Sequence, residues 1–198
     1  REWPEMPDSQ KQTKAKCFIQ AGTRASTEAL FKNMSTRQLT RTAIMAAVLY
    51  AIFRMFADIL YLELITFSLL LFALVFERRE VIAAAGIFAL LQLLLHGIML
   101  WNIAYLIIFP TYALLFSLSR NWLRKHEGII PLYCACFSFL CGQLVDLPFL
   151  LFDARVTMLY ALMGMKTSLI QAGLTFITAL FLYEPLFHVL TRIKKQVG

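Results

Sequence analysis

Apolar residues run almost unbroken from Thr42 to Phe76, a stretch of 35 positions with neither glycine nor proline. At about 1.5 Å per helical residue, this is too long for one ~30 Å hydrocarbon crossing and adequate for two. The polar interruption Asp58–Glu63 supplies a turn, so the pattern predicts spans at 41–60 and 62–77, closed by the charged run Glu77-Arg78-Arg79-Glu80. Val81 to Leu118 divides in the same way at His96–Asn102, predicting spans at 81–98 and 102–119. Pro110 falls inside the second of these, where neighbouring helices can satisfy the carbonyl it frees. A basic loop, Arg120 to Glu127, leads into a fifth span at 129–151 that ends near Pro148. Residues 152–164 then read as an outer connection, and a sixth span occupies 165–190, followed by a basic tail.

Residues 1–40 lack any such run. They predict a polar cytoplasmic extension ahead of a membrane domain at 41–198, with no apolar core of signal-peptide length. Met34-Ser-Thr-Arg-Gln-Leu-Thr-Arg reads as a natural bacterial start just ahead of the first span, which leaves open whether residues 1–33 are native.

Composition agrees with the pattern. Of 198 residues, 60% are apolar and 16% charged, with a mean hydropathy of +0.68, where a soluble domain sits near 45–50% and about 25%. The expectation is an all-α integral membrane bundle of six transmembrane helices, in contact with lipid. The net charge of +7 does not imply a nucleic-acid partner, because the bases fall at the ends of apolar segments. With the N-terminus inside, ten bases lie on the inner flanks and three, Arg54, Arg155 and Lys166, on the outer side. That bias places both termini in the cytoplasm. Cys134, Cys136 and Cys141 share one apolar run and read as small packing residues. A helix turns 100° per residue, so Cys134 and Cys136 face apart and make a poor metal site.

Under this topology the unusual polar residues gather on the outer side. Ionisable groups in spans cost a few kcal/mol each, so they tend to be paired, cavity-lining and functional. The candidate ligand wall comprises Arg54, Asp58, Tyr61 and Glu63 at the first outer turn, and Trp101, Asn102 and Tyr105 at the second. Asp146, Asp153, Arg155 and Lys166 add the third. Plainer roles compete: Arg54 and Asp58 are spaced as an i,i+4 ion pair, and Trp101 and Tyr61 suit an interfacial aromatic belt. Together they describe a polar-rimmed, aromatic-walled pocket for a small organic ligand. The chain shows no Walker loop, HExxH or GxSxG motif, and no inverted repeat of the kind common in stand-alone transporters.

The basic lead STRQLTR running into TAIMAAVLYAIF, with Ala43 and Ala47 as Ala-x-x-x-Ala and six spans in about 160 residues, resembles the S component of energy-coupling factor (ECF) vitamin transporters. The resemblance covers about Ser35 to Gly198. It implies a substrate-binding subunit of a bacterial plasma membrane, with no chemistry or cofactor of its own. Such a subunit captures a vitamin outside the cell and works with a transmembrane coupling protein and two ATPase subunits that bind ATP. It also implies that Ala43 and Ala47, with Ala51 extending the stripe, contact the coupling protein, since small side chains let helices approach closely. The overall look is closest to the cobalamin type, with pantothenate, a pyrimidine or a queuosine precursor as other vitamin-like cargoes. The alternative from a different class is a membrane-embedded enzyme or lipid-handling protein using Asp146, Asp153 and His96 as acid–base groups.

Overall fold

The computed structural model describes residues 34–56, 63–97, 99–151 and 154–197. Among them are six α-helices: α1 (Thr36–Phe56), α2 (Ile65–Val75), α3 (Arg78–His96), α4 (Leu100–Leu123), α5 (Ile130–Leu144) and α6 (Ala154–Val197). Short 3-10 turns at Glu127–Ile129 and Leu147–Leu151 flank α5. The chain divides into two compact units, Arg1–Leu39 and Thr40–Gly198. In the first, α1 starts on a reciprocal cap: the Ser35 N–H donates to Gln38 Oε1 at 2.9 Å and the Gln38 N–H to Ser35 Oγ at 3.3 Å.

Among the described residues five helical segments are long and apolar enough to cross a bilayer, and α2 is shorter. The chain is a helical, multi-pass membrane protein. Its outward faces are greasy: Leu94, Ile107, Met163 and Phe181 are 67–77% exposed, as expected where lipid rather than water is the solvent.

The shortest helix is the centre. All eleven residues of α2 are buried, and it packs against α3, α4, α5 and α6. A helix apolar on every side has no face to give to solvent. The predicted span 62–77 is thus a buried helix of only about 16 Å, enclosed by longer neighbours.

Its ends are closed by charge. At the C-terminal end Arg120 Nε donates to the Ala73 carbonyl at 2.7 Å, Arg124 Nη2 to the Leu74 carbonyl, and Lys194 Nζ to the Val75 carbonyl at 2.7 Å. Three carbonyls that a helix end leaves orphaned therefore meet three cations at the negative pole of the helix dipole. At the N-terminal end the Glu63 carboxylate accepts from the Thr66 N–H at 2.7 Å, a negative group at the positive pole.

These contacts fix the alternation of the bundle. The end of α2, the end of α4 and the end of α6 meet at one pole, and the starts of α1 and α3 meet there too, where Arg41 lies 3.9 Å from the buried Glu80. The same Glu80 closes the capping box of α3 with Glu77.

The breaks between helices follow the sequence closely at some points and not at others. The break at His96 is as expected: α3 ends there and Gly97 takes φ +85°, a left-handed conformation that glycine adopts without a Cβ clash. α4 continues through Pro110, with the Thr111 hydroxyl bonded to the Ile107 carbonyl at 2.7 Å one position along. The outer connection expected at 152–164 is corrected. From Ala154 onward the chain is already helical, and α6 runs 44 residues, through Pro185, to Val197. Its first ten residues, ARVTMLYALM, hold no glycine or proline to stop a helix. The turn expected at Asp58–Glu63 lies, apart from Glu63, outside the described residues.

Helix spacing is set by side-chain size. α5 and α6 pack closely over small residues: a Cβ added to Gly142 would lie 2.3 Å from Ser168 Oγ. α4 and α5 are instead wedged by rings. Phe137 stands 5.0 Å from Tyr112, 4.8 Å from Phe116 and 4.7 Å from Tyr133, centroid to centroid, within the range of favourable aromatic pairs. The described cysteines are free thiols, Cys134 and Cys141 buried and Cys136 exposed, which fits packing residues on different faces.

Candidate ligand-binding cavity

At the pole opposite the cationic cap, the helices enclose a cavity of about 400 Å³. α1 contributes Phe53 and Phe56 from its last turn, and α4 contributes Tyr105 and Phe109. Glu63 stands at the entry to α2, Gly142 and Asp146 come from the end of α5, and Gly164, Ser168 and Gln171 from α6. The volume and the mixture of aromatic walls with few convergent polar groups are those of a small-molecule site.

The Glu63 carboxylate is held by donors from two helices, α2 and α5. Its Oε1 accepts from the Thr66 N–H at 2.7 Å and the Thr66 hydroxyl at 2.8 Å, and its Oε2 accepts from the Ser138 hydroxyl at 2.9 Å. Ser138 Oγ is in turn 3.0 Å from Thr175 Oγ1 and accepts from Gln171 Nε2 at 3.4 Å. With Ser138 donating to Glu63, the Gln171 amide donates to Ser138, so that chain of donors ends on the carboxylate, while the Thr175 hydroxyl also reaches the Glu63 backbone carbonyl at 3.2 Å. Such a chain polarises each bond toward the acceptor.

Asp146 is arranged differently. Its carboxylate has no hydrogen bond or ion pair among the described residues, and Oδ2 lies 3.3 Å from where a Cβ on Gly164 would sit. The bare glycine of α6 makes room for it. Asp146 also lines a second hollow of about 390 Å³, bordered by Leu144 and Met158. Next to it, Gln143 Nε2 donates to Ser168 Oγ at 3.0 Å, tying α5 to α6 beside the cavity.

Of the residues expected on the ligand wall, Glu63, Tyr105 and Asp146 line the cavity. Asn102 does not; it is buried, and its amide donates to the Gly97 carbonyl at 2.9 Å, bracing the α3–α4 turn. Trp101 is exposed, 43%, on the outer surface. Arg54, Arg155 and Lys166 are exposed and off the cavity wall. A one-sided location in the sequence does not fix which way a side chain faces around its helix axis. Asp58, Tyr61 and Asp153 lie outside the described residues.

Missing from the expected wall were Gln171, Ser168 and Thr167 of α6, the two glycines, and the phenylalanines. The α6 residues had a signal: Gly164, Ser168, Gln171 and Thr175 recur at intervals of four, three and four, one polar stripe on a helix. His96, the expected acid–base partner of Asp146, is not on the wall. Its ring packs 5.7 Å from Phe53 and 6.4 Å from Tyr50. Among the described residues no group of three His, Cys, Asp or Glu side chains is placed to hold a metal ion.

The proposed partner stripe is presented outward. On α1, Thr42, Met45, Ala46 and Leu49 are buried against the bundle, while Ala43, Ala47 and Ala51 are exposed. Comparison with protein-family models, curated proteins and solved structures finds no match for this chain.

Proposed function

We propose that the chain is the substrate-binding membrane subunit of an ECF-type vitamin uptake transporter, working with a transmembrane coupling protein and two ATPase subunits. The observation that carries this is the division of the bundle into two poles. A 400 Å³ cavity with two half-buried carboxylates and aromatic walls lies at one pole, and the basic cap of α2 lies at the other. The positive-inside bias puts the cationic pole in the cytoplasm, so the cavity faces outside, where a nutrient would be captured. The outward alanine stripe of α1 supports a helix-packing partner, because it leaves a shallow face on which another helix can lie closely.

Cobalamin is the largest of the cargoes considered, and a corrin would require the described walls to part. A compact vitamin fits without that. The acid–base alternative finds less support, since His96 lies away from the cavity that Asp146 lines.

The test is growth rescue. The chain is expressed alone and with an ECF module in vitamin-auxotrophic bacteria, and each vitamin is supplied at limiting concentration. Rescue by one vitamin, dependent on the module, is the expected result. No rescue by any vitamin, with no ligand co-purifying, overturns the function.

A further inference from the structure

We propose that the cavity selects a small organic cation, a positively charged centre on a flat or apolar body. This names the ligand class of the cavity assigned to uptake above, and rests on that reading of the site.

The cavity wall holds two carboxylates, Glu63 and Asp146, and no lysine, arginine or histidine among the described residues. The undescribed segment that joins Phe56 to Glu63 reads ADILYL, with one acid and no base, and residues 152–153 are Phe152 and Asp153. The bases nearest in sequence, Arg54, Arg155 and Lys166, are exposed and off the wall. The single salt bridge among the described residues, Arg41–Glu80, belongs to the other pole.

Glu63 is surrounded by groups that donate. Three hydrogen bonds converge on its two oxygens, and the Gln171–Ser138 relay feeds one of them. That pattern suits an ionised carboxylate. Glu63 is half-buried, and even a partly desolvated negative charge without a cationic partner is costly. Asp146 repeats the deficit, with no hydrogen bond or ion pair on its carboxylate among the described residues. A cationic ligand would supply the missing counter-charge to both, whereas an anion would meet like charge on two sides.

The remaining walls favour the same class. Tyr105 and Phe109 lie with ring centroids 5.0 Å apart, and Phe53 and Phe56 face the same space. Aromatic faces attract cations through the ring quadrupole, most strongly when water is excluded. The volume bounds the ligand to a compact molecule.

The test uses the purified full chain in lipid nanodiscs and calorimetric titration with three probes of similar size: benzyltrimethylammonium, benzyl alcohol and phenylacetate. The cation should bind at least about tenfold tighter than either other probe, the scale of a charged contact. Asp146→Asn, whose wild-type carboxylate bonds nothing among the described residues, should weaken the cation roughly tenfold and leave phenylacetate no weaker. Glu63→Gln should act in the same direction, read alongside a thermal melt because Glu63 also caps α2. Equal binding of phenylacetate or benzyl alcohol, no binding of any probe, or an Asp146→Asn variant with unchanged cation affinity overturns the proposal. Titrating a vitamin panel separates the two levels. Tight binding of anionic pantothenate or biotin overturns the cationic class and leaves uptake standing. Tight binding of the cation, with no vitamin rescuing growth through the ECF module, overturns uptake and leaves the class standing.

Discussion

Gly142 shows how much one missing methyl group controls. Its nearest neighbour across the interface is Ser168 Oγ, 2.3 Å from the position a Cβ would take, with Ser168 Cβ at 3.1 Å. Gly142→Ala must therefore push Ser168 away, breaking its bond to Gln143 and spreading α5 from α6 beside the cavity. Overpacking of this kind costs about 1–3 kcal/mol, and a thermal melt of the variant in nanodiscs should fall accordingly. Adding Ser168→Gly should recover most of the loss, since the two changes share one contact and so couple. If the double variant melts at the sum of the two single losses, the close approach of these residues is not what sets the helix spacing.

At the scale of the helix, α2 depends on partners it does not carry. A wholly apolar helix has nothing of its own to cap its last turn, and Phe76 is the final residue with a backbone bond back into it, to the Phe72 carbonyl. The carbonyls of Ala73, Leu74 and Val75 are served by side chains 47 to 119 positions away. Lys194→Ala should leave the Val75 carbonyl buried and unpaired, at a cost of about 1–3 kcal/mol. Hydrogen exchange should report it as faster exchange in the last turn of α2 and little change in α3. Unchanged protection there would mean the cap is incidental. The helix proposed to have a role beyond packing is α1, whose buried and exposed faces are cleanly separated. Ala47→Leu changes an exposed position, so the isolated subunit should melt within about 0.5 kcal/mol of wild type. The same substitution should abolish co-purification with a coupling protein, and assembly that survives it would remove the docking role from this stripe.

For the whole molecule, the two poles make orientation measurable. Lys166 and Lys195 are both exposed on α6 and should lie on opposite sides of the membrane. In a background without native cysteines, Lys166→Cys should react with a membrane-impermeant maleimide in intact cells, and Lys195→Cys only after permeabilisation. The reverse pattern would invert the bundle and place the cavity on the cytoplasmic side, which no capture subunit could use.

The distribution of apolar runs and breaks was enough to predict an all-helical membrane bundle and the order of its described helices, because hydrocarbon thickness and backbone satisfaction act on length and composition alone. It also singled out Glu63 and Asp146, which line one cavity. What it could not contain is rotation about each helix axis. Asn102 and Trp101 are adjacent in sequence, yet one is buried and bonded to the α3–α4 turn and the other faces outward. Nor could hydropathy rank the six apolar segments by depth. It presents α2 as one more span, while packing makes it the enclosed core, because only tertiary contact brings Arg120, Arg124 and Lys194 to its end. The cavity has the same origin. Glu63, Ser138, Gln171 and Asp146 come from distant parts of the chain, and a shared site between them exists only once small residues let α5 and α6 close together.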